Sequence, residues 1–138
     1  MRLESINTLE EKVLQSIDDG LEKHNFAAAP LQNVRPLATV ARGEDEAPIG
    51  GAVGRTWGKC CELLQLWVDE AHRGKGIGSA LLHEFEAQGR SRGCSTFYLT
   101  TLSYQAPEFY RRHGYETLAS IDGYPEGIVK YLMLRKEA

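Results

Sequence analysis

Between Leu66 and Leu82 the chain reads LWVDEAHRGKGIGSALL. An apolar run ends at Asp69, glycines crowd at Gly74, Gly76 and Gly78, and Ile77, Leu81 and Leu82 then recur at helical spacing. That order predicts a strand, a turn and a helix in immediate succession. Glycine is a poor helix former, so its crowding at a helix start needs a reason in the backbone. The first turn of a helix carries about four amides without partners and roughly half a positive charge. Glycines let those amides approach a ligand closely because no Cβ intervenes. The result is an anion site, and its usual occupant is a phosphate.

Spacing narrows which phosphate. A Walker loop needs G-x-x-x-x-G-K-[ST], whereas Lys75 precedes the last two glycines. A dinucleotide fingerprint needs G-x-G-x-x-G, and this segment reads G-x-G-x-G with no series of parallel βαβ units around it.

The rest of the chain predicts a β-α-β-β-β-α-β-α-β-β order, an α+β layered domain with one central sheet. Residues 2–6 are expected to form a short opening strand. Thr8 and Glu11 fit a capping box for a helix with Leu9, Val13, Ile17 and Leu21 on one stripe and Leu14 beside it, ending near His24 and Asn25. Strands are expected over 34–42 and 49–56, the second glycine-rich and therefore closely packed or irregular. The stretch 60–68 is apolar on both faces apart from Glu62 and Gln65, as a central strand would be. A helix over 76–92 has Ile77, Leu81, Leu82 and Phe85 on its buried stripe, with Gly93 as its cap. A strand over 96–101, a short helix within QAPEFYRRHG and strands over 115–120 and 127–135 complete the order.

At 138 residues the chain is expected to be a single domain, 1–138. Its 16 Lys and Arg against 19 Asp and Glu give a net charge of -3, without the basic surplus of a general nucleic-acid binder. No apolar run approaches the roughly 20 residues of a membrane span, and the N-terminus lacks a basic region followed by an apolar core. Cys60, Cys61 and Cys94 are odd in number and lack CxxC spacing. They imply reduced thiols in a cytoplasmic protein and no metal site.

Arg73-Gly74-Lys75-Gly76-Ile77-Gly78 matches the R/Q-x-x-G-x-G/A signature of the GNAT superfamily of N-acetyltransferases, and the segment resembles that family's acetyl-CoA pyrophosphate loop. LLQLWVDEAHRGKGIGSALL is similar to the family's fourth strand and following helix, and YLTTLSYQAPEFYRRHGYE to its fifth strand, short helix and Tyr-x-x-x-Gly-Tyr/Phe ending. The resemblance implies a mixed, mostly antiparallel sheet whose fourth and fifth strands splay apart at the cofactor site. It implies that amides from Gly74 to Ser79, within Arg73, Gly74, Lys75, Gly76, Ile77, Gly78 and Ser79, hold the pyrophosphate. It also implies that Leu66, Trp67 and Val68 offer backbone groups to the pantetheine arm and the thioester carbonyl. Such donors suit an oxyanion because they are already aimed. A homodimer is implied by resemblance alone.

Acetyl transfer to an amine needs a base near the amine and an acid near the departing sulfur. Tyr110 stands where the family has its thiol-facing tyrosine, and a phenol stays protonated at working pH. Glu62, the only carboxylate within its apolar run, is the base candidate, since such a group is costly to bury unless it is paired or its pKa is raised. The alternative for Glu62 is a surface ion pair. Gln65 could orient a water. Ser103 stands where the family often has an asparagine that binds the cofactor. His113, beside Arg111 and Arg112, reads as part of a solvated basic face.

Two functions follow, beside a structural role in which the sheet serves assembly only. One is an acetyl-CoA-dependent N-acetyltransferase, free of metal, that acts on a small-molecule or protein amine by direct attack in a ternary complex. The other is a regulatory module that binds an acyl-CoA without turning it over. The acceptor itself is not legible, because fold-level analogy does not transfer to acceptor pockets.

Overall fold

The computed structural model describes residues 1–137. They form two compact units, residues 1–33 and the residues from Val34 onward, and each is described by itself.

The first unit is a helix, α1 (Glu11–Ala28), followed by a 3-10 turn at Leu31–Asn33. Residues 2–6 do not form the expected strand. Their apolar members, Leu3 and Ile6, would fall on opposite faces of one. Thr8 does not cap the helix either: the N-cap is Glu10, without a side-chain hydrogen bond, because helical backbone begins two residues later than the periodicity implied. The helix also outruns His24, since neither glycine nor proline stands between His24 and Pro30.

The second unit is a six-stranded sheet built from β1 (Arg35–Arg42), β2 (Pro48–Trp57), β3 (Cys60–Val68), β4 (Thr96–Leu102), β5 (Glu116–Ile121) and β6 (Lys130–Lys136). The strand order is β1-β2-β3-β4-β6-β5, and β3–β4 is the parallel pair in an otherwise antiparallel sheet. Helix α2 (Ile77–Ser91) makes the crossover between β3 and β4, and the short α3 (Pro107–Arg112) follows β4. With no strand at residues 2–6, the fourth and fifth strands expected from the sequence are β3 and β4.

Leu81, Leu82 and Phe85 of α2 pack on Ala52, Cys61, Phe97, Leu99 and Met133 of the sheet to form the core. The glycines of β2 serve this packing. A Cβ on Gly54 would lie 1.9 Å from the Glu62 carbonyl oxygen and 2.7 Å from the Phe85 ring. The three cysteines are free thiols, and burial pushes the Cys61 thiol up to about 12.

One feature of the core was not expected. Glu86 of α2 is fully buried. Tyr115 Oη donates to its Oε2 (2.7 Å), and Arg135 Nη1 donates to both its oxygens (3.2 and 3.3 Å). Arg90 lies 3.8 Å away, and Glu137 accepts from Arg90 at 2.9 Å. The network ties α2 to β6 and to the segment after α3.

Candidate functional site

β3 and β4 are paired only from Cys60↔Thr96 to Leu63↔Leu99. The cause is a bulge. Val53 of β2 pairs with Gln65 and Gly54 with Leu63, so Leu64 is an extra residue that bends β3 away from its neighbour. The two strands therefore open into a fork.

Antiparallel alternation then decides which peptide groups the fork exposes. Asp69 N donates to Ile49 O (2.7 Å), so residues 49 and 69 are a hydrogen-bonded pair. Counting back along the register commits the peptide groups of Trp67 and Gln65 to β2 and turns those of Leu66 and Val68 into the fork. On β4, Ser103 N donates to Val129 O (2.8 Å), which commits Thr101 to β6 and turns Thr100 and Leu102 toward β3. Of these open groups, the Val68 carbonyl accepts from Arg73 Nε (3.0 Å) and the Leu102 amide donates to Gln105 Oε1 (2.7 Å). Trp67, grouped by resemblance with Leu66 and Val68, instead lines the cleft with its half-exposed side chain.

The glycine loop sits at the end of β3. The Asp69 carboxylate accepts from Ala71 N (3.2 Å) and meets His72 Nδ1 (3.0 Å), which shapes the 3-10 turn Glu70–His72. Gly74 and Gly76 have φ of 77° and 79°, a left-handed conformation that side chains disfavour. A Cβ on either would meet nothing within 4 Å, so the backbone conformation, and not crowding, requires glycine there. Among the described residues, no amide from Gly74 to Ser79 donates to a protein acceptor; the first bond of α2 is Ala80 N to Gly76 O (3.1 Å). Gly76 is the N-cap and has no side chain to take that place. Gly74, Gly76, Ile77, Gly78 and Ser79 border a cleft with Leu66, Val68, Phe109 and Arg112, whereas Lys75 borders a hollow beside Arg42, Glu44 and Asp45.

Tyr110 projects from α3 to the adjoining stretch of the fork, beside Leu66, Trp67, Thr101 and Gln105. It is 8% exposed, and burial pushes its phenol up to about 12. Its ring meets Phe109 and Tyr115 edge-on, at 5.2 and 5.9 Å between centroids. Among the described residues its hydroxyl has no hydrogen-bond partner, yet no sealed side-chain polar atom lacks one, so that oxygen faces the cleft.

Glu62 lies at the foot of the fork, in the stretch where β3 still pairs with β4, and opposite Arg55. Arg55 Nε and Nη2 both reach its Oε1 at 2.9 Å, which is the ion pair set out above as the alternative for Glu62. The register places Glu62, Gln65 and Trp67 on one face of the sheet. Ser103 Oγ accepts from Val129 N (3.0 Å), which prolongs the β4–β6 pairing.

Sequence reasoning missed two residues here. Gln105 directs Oε1 at the Leu102 amide and the Thr101 hydroxyl (3.3 Å), which leaves its amide nitrogen as a donor at the cleft. A carboxamide just ahead of the short helix was the available signal. His113 is not part of a solvated face: its Nδ1 meets Phe109 O at 2.7 Å and its Nε2 meets Ser79 Oγ at 3.1 Å. Its partner is 34 positions away, so no local pattern reveals it.

The sequence model of the Acetyltransferase (GNAT) family matches residues 4–115. Blasticidin-S acetyltransferase of Streptomyces morookaense is 40% identical over 111 residues, which cover 78% of this chain and 82% of that protein. Acetyltransferase Atu2258 of Agrobacterium fabrum is 34% identical over 107 residues, 78% of either chain. The crystal structure of an acetyltransferase from Bacillus cereus superposes with a TM-score of 0.81 at 27% identity, covering 97% of this chain and 98% of that one.

Proposed function

The chain belongs to the GNAT family of acetyltransferases and is an acyltransferase, and from that premise we propose that it transfers the acetyl group of acetyl-CoA to a primary amine by direct attack in a ternary complex. The observation that carries this reading is the unbroken row of unpartnered amides from Gly74 to Ser79, opening onto a fork whose two edges carry unpaired peptide groups.

These residues fit the ligand. The amide row and the positive end of α2 suit a diphosphate, with Lys75 beside them. The peptide groups of Leu66 and Val68 and the carbonyl of Thr100 suit an extended, amide-bearing arm, which they would bind as a sheet binds an added strand. Acetyl-CoA supplies an activated thioester, and its carbonyl oxygen would be met by donors that need no reorganisation. Gly76→Ala tests the loop directly. Left-handed backbone costs a side-chain-bearing residue about 1–2 kcal/mol, so acetyl-CoA affinity should fall about tenfold. Because the new methyl meets no protein atom, the expected route is a rearranged loop with the core left intact. Calorimetric titration, with a thermal melt alongside, checks it.

As the amine attacks, its lone pair forms the C–N bond, the C–S bond breaks and the sulfur needs a proton. Tyr110 is protonated, lacks a competing partner and opens on the cleft, which supports it as the acid. Glu62 is the base of this reading, acting through a water on its face of the sheet because it does not line the cleft. Glu62→Gln should lower turnover about tenfold near neutral pH, since solvent replaces part of the relay. Its rate should then rise with pH only as the free amine itself appears, toward the alkylamine range near pH about 10. A pH–rate profile identical to that of the unaltered enzyme would remove Glu62 from the role.

The relative named for blasticidin S supports a small-molecule acceptor and makes that compound the first to try. The enzyme would be incubated with acetyl-CoA and a panel of amines that includes blasticidin S, polyamines, amino acids and a peptide, with thiol release as the readout. Release with one of them is the expected result. Binding of acetyl-CoA with no release across the panel would instead favour a module that holds the acyl-CoA without turning it over.

A further inference from the structure

His113 closes α3 against the first turn of α2, and its two ring nitrogens are not equivalent. Nδ1 meets the Phe109 carbonyl (2.7 Å), which can only accept, so Nδ1 carries a hydrogen in every charge state. Nε2 meets the Ser79 hydroxyl (3.1 Å), which can donate or accept. In the neutral ring Nε2 is an acceptor, and the Ser79 hydrogen is spent on it. In the charged ring Nε2–H donates, and the Ser79 hydrogen is released.

Ser79 stands among the unpartnered amides, on the cleft that the glycine loop borders. Its direction of donation therefore matters to any anion there: an oxygen lone pair repels the anion, and an O–H attracts it. We propose that His113 is a positioning residue for the cofactor, which takes up a proton when the diphosphate of acetyl-CoA binds and thereby turns the Ser79 hydroxyl from its own ring toward the ligand. This rests on the cofactor reading above. No bond between heavy atoms changes; one proton moves from a solvent donor to Nε2, its O–H bond breaking as the Nε2–H bond forms.

The ionisable groups around the ring are few. His83 of α2 has its ring centroid 5.2 Å away. Arg111 and Arg112 adjoin His113 on α3, and Arg112 borders the cleft. Arg135 of β6 donates to the His113 carbonyl (3.1 Å) and is itself paired with Glu86. Among the described residues no carboxylate is hydrogen-bonded to the ring, so the added charge would find its counter-charge in the bound diphosphate. The sign follows: the complex holds more protons than the free enzyme, so binding takes up protons.

Acetyl-CoA binding would be followed calorimetrically in buffers of different ionisation enthalpy near neutral pH, which counts the protons exchanged. A fraction of a proton taken up per molecule bound is expected, lost in His113→Gln and kept in His83→Gln. Ser79→Ala, which leaves both rings in place, should lose most of it too and serves if the His113 variant does not fold. The 3′-phosphate of the ligand titrates equally with every variant, so differences between variants isolate the protein's part. Uptake unchanged in His113→Gln or in Ser79→Ala, or lost instead in His83→Gln, would overturn the assignment. Tight binding of acetyl-CoA without proton uptake would overturn it while leaving the cofactor site standing. No binding at all would bring down the cofactor reading itself.

Discussion

Tyr110→Phe is expected to lower turnover by about 10²-fold or more, the loss that follows removal of a general acid. Acetyl-CoA affinity should stay within about twofold, because the phenol makes no uniform contribution to binding in this reading. The variant is a clean test because the Tyr110 hydroxyl has no hydrogen-bond partner among the described residues, so its removal orphans nothing. The ring contacts with Phe109 and Tyr115 survive, and stability should change little. Burial holds the phenol protonated up to about pH 12, so the acid should not itself limit the rate on the alkaline side of the working range. Steady-state kinetics with calorimetric binding separates the two effects. Equal turnover in the variant would remove Tyr110 from the mechanism.

Glu86→Ala should cost about 3–5 kcal/mol of stability, because it leaves the partners of a buried charge uncompensated. Tyr115 and Arg135 both donate to this carboxylate, and Arg90 stands close by. Burial and the adjacent carboxylate push the Tyr115 phenol up, so it serves here as a neutral donor. Glu137 offsets part of the exposed charge on Arg90 and Arg135, so the loss should fall within that range and not exceed it. Urea denaturation followed by circular dichroism checks the figure. A loss below about 1 kcal/mol would mean that the network is worth no more than a surface pair.

The strand, loop and helix around Gly74–Gly78 were legible because their signals are local: an apolar run, a glycine cluster and a helical period within one stretch. The fork was legible only through family resemblance. It depends on one extra residue, Leu64, in the β2–β3 register, and no composition or periodicity marks a bulge. The same register separates Leu66 and Val68 from Trp67, which the family resemblance had grouped together. Glu86 escaped notice because a glutamate on a helix is ordinarily read as solvated. It follows Phe85 directly on the buried stripe of α2, and only the arrival of Tyr115 and Arg135 from far along the chain explains its burial. His113 was misread for a related reason, since its arginine neighbours suggested solvent while its ring found Ser79.

A crystal structure of the protein with acetyl-CoA tests the central claim most directly. The expected result is a diphosphate seated on the main-chain nitrogens between Gly74 and Ser79, with the pantetheine arm between β3 and β4 and its sulfur near the Tyr110 hydroxyl. A cofactor bound elsewhere, with those nitrogens turned to solvent and the fork empty, would contradict it.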